Sequence, residues 1–399
     1  MNAQPSVSPD LQWLVDVLWG TRGTEVTFGS RRSATGESYA IVPSAARARF
    51  LFPAGRPRLV GKALRAYNRL RPARVRALRA AAALASSVGA ERLVARDVLE
   101  VTVAGEGEGL RSFIARVLGR DDIALLVGLA PRGPNRKPLV QVFSDRGDPL
   151  AFAKVGWNEV TARRVRREAA ALTAFGPRAG DVVAVPELIY EGVWQGLQFT
   201  VSAPMPLAVR GYPARGPFPV AAARAVFSFE QPVEAKLGDS PYLTSLLERA
   251  ASVSGDRGRR VVEGLARVER RFGSTALTFG VAHGDWVPWN LARAEATTYV
   301  FDWEHWDDRA PLGLDVFHWH FQKSFILLQR PLHEAWRTAL EAAPREWRAL
   351  GVENDAAAVV PALFLADITL RAAESIAVGA MPNERWESGV DDLLDAVAR

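Results

Sequence analysis

Residues 281–306 read VAHGDWVPWNLARAEATTYVFDWEHW, and this stretch sets the reading of the whole chain. It packs His283, Gly284, Asp285, Asn290, Asp302 and Glu304 into one short run. Two apolar pieces, residues 289–292 and 299–301, flank a polar turn. That pattern predicts a small hairpin with polar groups gathered at its mouth. A carboxylate, a carboxamide and a second carboxylate converging there suit a divalent cation that prefers hard oxygen ligands, beside one acid/base group.

The run resembles the catalytic segment of the aminoglycoside phosphotransferase and choline kinase group, within the wider protein-kinase-like fold. The matching pieces are His283-Gly284-Asp285, Asn290, and Asp302-Trp303-Glu304, in the group's order and spacing. The resemblance implies roles. Asp285 would orient or deprotonate a substrate hydroxyl, and His283 would brace the loop. Asn290 and Asp302 would hold magnesium on the nucleotide phosphates, with Glu304 in support. Such a mechanism relies on positioning and charge neutralisation rather than covalent catalysis.

Working outward, the chain has 399 residues, long for one domain and comfortable for two or three. It is 48% hydrophobic, 24% charged and 9% aromatic, which fits a globular protein. The absence of cysteine excludes disulfides and thiolate metal sites and fits a reducing, cytoplasmic setting. The first residues lack a basic stretch followed by an apolar one, so no secretory signal is expected. No apolar run reads as membrane-spanning: the longest, residues 356–370, is interrupted by Pro361 and Asp367. The net charge of +6 rests mostly on arginine, and that bias alone says little about nucleic acid.

Residues 1–118 precede anything that matches the phosphotransferase pattern. Residues 10–19 predict a short helix or strand. Residues 24–28, 38–42, 49–52 and 98–103 predict strands, and residues 57–87 a long helix kinked or broken at Pro72. Between Ser38 and Ala90 there is no acidic residue, while Arg47, Arg49, Arg56, Arg58, Lys62, Arg65, Arg69, Arg71, Arg74, Arg76 and Arg79 all fall inside. Residues 47–79 therefore read either as a solvated helix face or as a surface for nucleic acid, anionic membrane or an acidic partner. GEGEG at residues 105–109 reads as a linker, and residues 110–118 as a short amphipathic helix.

From residue 123 three apolar strands follow, residues 124–130, 139–143 and 150–155, separated by PRGPNRK and SDRGD. In the resemblance the first turn covers the phosphates. It holds Gly133, with Gly128 just before it, but no G-x-G-x-x-G. Arg132, Asn135, Arg136 and Lys137 offer donors to phosphate or are plain turn residues. Lys154 shares a strand face with Phe152, and a lysine inside an apolar strand needs a partner. The next helix, residues 158–175, carries an apolar stripe of Val165, Ala169 and Leu172, with Glu168 alongside. An inward Glu168 and an inward Lys154 predict an ion pair, which in the resemblance grips the α- and β-phosphates. Two further strands lead to SAPMP at residues 202–206. There the resemblance places the hinge that reads the nucleotide base, through Ala203 and Met205, whether ATP or GTP.

Residues 219–227, 240–251 and 259–272 predict helices of a larger lobe, followed after the catalytic run by residues 332–350, 356–377 and 384–397. Asp315 matches the aspartate that supports the catalytic loop from beneath. His318 and His320, two apart on a helix, chelate poorly, and packing or loop support is the better reading. Asp367, Glu374, Glu384 and Glu387 read as sites for a cationic acceptor or as surface charges. Trp289 and Trp319 read as core. Trp286, Trp303 and Trp306 are open between core and a stacking surface for a sugar ring. V-G-W-N at residues 155–158 and Pro288-Trp289-Asn290 fit bacterial members of the same group.

The expected fold is α+β and bilobal, protein-kinase-like, preceded by a small N-terminal α/β extension: residues 1–118, 119–205 and 206–399. The expected function is transfer of the γ-phosphate of ATP, with Mg2+, to a hydroxyl of a sugar, amino sugar or amino alcohol. The alternative is a kinase-fold nucleotide-binding or scaffold protein with a basic surface for an anionic partner.

Overall fold

In a computed structural model of the chain, the described residues are 6–20, 23–29, 37–68, 70, 97–104, 107–129 and 133–397. They form two compact units. The first comprises residues 1–173 and 186–210, the second residues 174–185 and 211–399. Arg69, Arg71, Pro72, Arg74, Arg76, Arg79 and Arg132 lie outside the described residues, so the expectations for the distal basic segment and for one end of the phosphate turn are not described.

The first unit is built on one antiparallel sheet. Its strands are β1 (Thr24–Gly29), β2 (Glu37–Val42), β3 (Phe50–Pro53), β4 (Asp97–Val103), β5 (Ile123–Gly128), β6 (Leu139–Ser144) and β7 (Pro149–Gly156). After β8 (Val183–Ala184), which belongs to the second unit, come β9 (Leu188–Trp194) and β10 (Leu197–Ser202). The order is β1-β4-β2-β3-β5-β6-β7-β10-β9. Phe50 pairs with Gly128 and Leu51 with Val127, so β3 continues the sheet directly into β5. The strands before residue 118 thus share a sheet with the strands that carry Lys154, and the nine-stranded sheet falls within one compact unit.

Alternation along these strands gives the sheet two buried faces. On one lie α1 (Pro9–Trp19), through Leu11, Leu14 and Leu18, and α3 (Leu110–Leu118), through Phe113 and Ile114, against Leu125, Val140, Ala153 and Val155. On the other lies α2 (Pro57–Asn68), whose Leu59, Val60, Ala63 and Leu64 pack on Phe52, Ala124, Leu126 and Phe143. Residues 10–19 are helical, started by Ser8, whose hydroxyl accepts from Leu11 N–H, and by Pro9 in the first turn. The fourth helix, α4 (Glu159–Phe175), follows β7.

The second unit is mainly helical: α5 (Val220–Phe227), α6 (Pro241–Ser252), α7 (Asp256–Phe272), α8 (Leu314–Gln322), α9 (Leu332–Leu350), α10 (Asn354–Ala377), α11 (Glu384–Glu387) and α12 (Val390–Val397). The predicted last helix is split in two at Ser388-Gly389. Besides β11 (Arg210–Gly211), where the chain passes into this unit, the strands are β12 (Val233–Lys236), β13 (Ala276–Ala282), β14 (Leu291–Ala294), β15 (Thr297–Val300) and β16 (Asp307–Pro311). β14 and β15 are the expected hairpin, with Glu295 at the turn in the left-handed region, φ 51°. β13 delivers the chain to His283 as the centre of a β12-β13-β16 sheet.

α10 corrects one expectation. It runs unbroken through Pro361 for 24 residues and by length and composition is apolar enough to cross a membrane. In the protein, 67% of that apolar window is buried, and Asp367 in its midst is ion-paired. The helix serves as the core of this unit, packed on α7 and α8.

Candidate active site

In the first unit, Lys154 Nζ lies 2.6 Å from both carboxylate oxygens of Glu168. β7 aims the lysine and α4 the glutamate, whose side chain is 7% exposed. The residues after the lysine fix this geometry. A Cβ on Gly156 would stand 2.5 Å from Ala162 Cα, so only glycine lets the strand turn this tightly into the helix. Asn158 caps the helix, its Oδ1 accepting from Thr161 N–H at 2.8 Å. Trp157 Nε1 and Asn158 Nδ2 also donate to the carbonyls of Arg136 and Pro134, at 2.7 and 2.8 Å. The V-G-W-N stretch therefore ties the β5–β6 turn, with Gly133 and Asn135, to the start of α4. Gly128 stands directly opposite Leu139, and Leu139 opposite Lys154, in one row across the sheet. Ala203 donates its N–H to Glu187 O at 2.8 Å, and it and Met205 are half-buried on the segment after β10.

In the second unit, the loop after β13 is held from several sides. Asp315, at the start of α8, accepts from the N–H groups of His283 (2.8 Å) and Gly284 (3.0 Å). Gly284 has φ +74°, and a Cβ there would fall 2.1 Å from His305 O, so glycine is required. His283 is fully buried. Its Nδ1 accepts from Asp285 N–H at 3.2 Å, which leaves Nε2 to donate to Phe301 O at 3.1 Å. The ring thereby fastens the loop to the strand that leads to Asp302.

Asp285 Oδ2 accepts from Asn290 Nδ2 at 2.8 Å, and Oδ1 lies 2.9 Å from His318 Nε2. Its side chain is 27% exposed. Burial pushes the carboxyl up, but the hydrogen bond and charge of His318 outweigh it and hold the group below its ordinary value. Asn290 O accepts from Phe301 N–H at 3.1 Å, which brings Asn290 within one residue of Asp302 across the hairpin. Asp302 sits at φ +70°, a conformation uncommon outside glycine and found where a site imposes it. Glu304 Oε1 lies 3.7 Å from His305 Nε2.

Asn290 and Asp302 offer the hard oxygens that magnesium prefers, and Mg2+ on a nucleotide takes one or two protein oxygens and completes its shell with phosphate and water. Among the described residues no group of three or more His, Asp or Glu is placed to hold an ion alone.

Several site features escape sequence reasoning. His318 contacts Asp285 itself; its place three residues after Asp315, on the same helical face, was the available signal. Arg371 Nη1 donates to Gly284 O at 2.6 Å, and its other arm meets Asp367 at 2.5 Å. Asp367 also accepts from Arg249 at 2.7 Å, Glu374 pairs with Arg249, and Glu387 with Arg257. Those three carboxylates are thus engaged by arginines of the same unit. Trp319 is buried, but Trp289 is 40% exposed, against its reading as core. A 3-10 turn at Pro288–Asn290 turns Asn290 inward and leaves Trp289 outward. Trp286 and Trp303 are fully buried, Trp303 edge-on to His283 with ring centroids 4.7 Å apart, and Trp306 is half-buried against Phe175.

No family model matches the sequence, and no curated protein matches it. Solved structures do. A thermostable mutant of aminoglycoside phosphotransferase APH(4)-Ia, in its apo form, aligns over 72% of this chain and 98% of its own, with 12% identity and a TM-score of 0.50. A glucosamine kinase in complex with glucosamine, ADP and inorganic phosphate aligns over 75% and 85%, with 18% identity and a TM-score of 0.35. Choline kinase from Streptococcus pneumoniae aligns over 65% and 89%, with 10% identity and a TM-score of 0.40. At these identities the likeness is one of fold, carried by the first of the three, and the fold of this chain is the protein-kinase-like one of the aminoglycoside phosphotransferases.

Proposed function

We propose that the protein is an ATP- and magnesium-dependent small-molecule kinase that phosphorylates a hydroxyl group. The observation that supports this most is the state of Asp285. Both its oxygens are held, by Asn290 and His318, while a quarter of the side chain stays open to a ligand. A carboxylate so oriented fixes a hydroxyl for in-line attack. Its depressed pKa makes it a weak base, which suits phosphoryl transfer, where the transition state is loose and the hydroxyl proton leaves late.

In this reading Lys154, aimed by Glu168, presents its ammonium to the nucleotide phosphates. Asn290 and Asp302 would hold magnesium, which when bound neutralises phosphate charge. His283, Asp315 and Arg371 hold the loop backbone so that Asp285 needs no reorganisation. For the acceptor, the ion-paired Asp367, Glu374 and Glu387 do not favour an ammonium site. Trp289, exposed beside Asn290, offers an aromatic face to a sugar ring. A neutral sugar is therefore preferred over an amino sugar or an amino alcohol.

Thermal stability titrated with magnesium-ATP and magnesium-GTP tests the nucleotide half. Wild type should gain melting temperature by mass action, and Asp302→Ala should not. Absence of a shift in wild type would refute the reading. ADP release across a panel of hydroxylated sugars and amino sugars identifies the acceptor.

A further inference from the structure

Gln141 lies at the middle of β6, 1% exposed, and neither its Nε2 nor its Oε1 has a hydrogen-bond partner. Its neighbours across the sheet are Leu126 on β5 and Phe152 on β7, which cannot pair with an amide. A buried amide with both ends unmet is costly and rarely kept without a reason. Directly opposed residues of paired strands point to one face. Gln141 and Phe152 form one row, Leu139 and Lys154 the next but one along the same face, so Gln141 stands beside the lysine that the kinase reading assigns to the phosphates. The row is not sealed: Phe152, unlike Gln141, is half-buried. On the β5 side of Gln141, α2 covers Ala124 and Leu126, while on the β7 side Phe152 and Lys154 are only half-buried, so the face opens toward β7.

A carboxamide presents a donor and an acceptor side by side. The edge of a purine base is its complement, and rotation of the amide suits either adenine or guanine. We infer that Gln141 is a base-contacting residue of the nucleotide site, its amide paired by the purine edge of the nucleotide whose phosphates meet Lys154. This rests on the proposed kinase reading and adds a specificity residue to it. Phe152, in the same row, is placed to lie against the flat face of the base.

The test compares wild type with Gln141→Met, which keeps the volume and removes the amide, by calorimetric titration with magnesium-ATP, magnesium-GTP and magnesium-tripolyphosphate. The variant should bind the preferred nucleotide about tenfold more weakly or worse. It should bind tripolyphosphate, which has no base, as well as wild type does. Its melting temperature without ligand should rise, because an unmet polar group has been removed. An unchanged nucleotide affinity would overturn the inference, as would an equal loss for tripolyphosphate or a lowered melting temperature. Gln141→Leu repeats the measurement should the Met variant fail to fold. Lys154→Ala separates the two readings: it should weaken all three ligands, and if wild type binds none of them the kinase reading fails and takes this inference with it.

Discussion

His318 Nε2 stands 2.9 Å from Asp285 Oδ1, so the loop aspartate is gripped by a helix that begins 29 residues later, at Leu314, through a residue about one turn past the Asp315 that holds the same loop's backbone. One face of α8 thus sets both the position of the loop and the ionisation of its carboxylate.

Removing that grip should appear in the pH profile. Asp285 is held below its ordinary value with His318 as the main lowering influence. In His318→Ala the carboxyl should rise, and the acidic limb of the rate profile should move to higher pH. Misplacement of the carboxylate should lower kcat by about tenfold to a hundredfold. An unshifted acidic limb would show that His318 only fills space.

Asp367 should contribute to stability against acid. Between Arg371 and Arg249 its carboxyl is lowered to about 2 despite burial, which alone would raise it. The folded value lies below the unfolded value of about 3.9. Its contribution is therefore fully present above about pH 4 and is lost as pH falls toward 2, roughly 2–3 kcal/mol in all. Asp367→Asn should abolish that part of the pH dependence and cost about 3 kcal/mol, since two arginines lose their partner. Urea unfolding between pH 2 and 5 measures both. Because Arg371 also holds Gly284 O, the rate should fall as well.

Lys154 and Glu168 separate stability from function. Lys154→Met leaves a buried carboxylate unpaired and should cost about 3–5 kcal/mol. The double variant Lys154→Met, Glu168→Leu should recover most of this in urea titrations. Affinity for ADP, measured on the same samples, should stay lost in both. Recovery of ADP binding in the double variant would contradict a phosphate role for the lysine.

A small apolar void of about 20 Å³ is lined by Gly264, Leu265, Val268, Leu365 and Leu394. A Cβ on Gly264 would meet nothing within 4 Å, and the residue sits inside α7. Gly264→Ala should stabilise the protein by about 0.5–1 kcal/mol through helix propensity and filling. Differential scanning calorimetry should show the melting temperature rise with activity unchanged.

What the sequence determined on its own was local. The stretch from His283 to Glu304 carries a hairpin, since two apolar pieces flanking a polar turn are a short-range property. Lys154 and Glu168 were legible because alternation on one strand and the 3.6-residue period on the next helix each point a charge inward, and two inward charges must meet. What only the tertiary structure decided depends on distant partners. The Phe50–Gly128 pairing joins the N-terminal strands to the sheet of Lys154, and no local pattern specifies which strand edges meet. Exposure of Trp289 between buried Pro288 and Asn290 follows from the 3-10 turn, and burial of Trp286 and Trp303 from packing around His283, neither from composition. Asp367, open in the sequence to a cationic ligand, is claimed by arginines 118 residues before and four after it. Backbone periodicity is written in neighbouring residues, whereas the partner of a buried charge or amide is fixed only when the chain has closed around it.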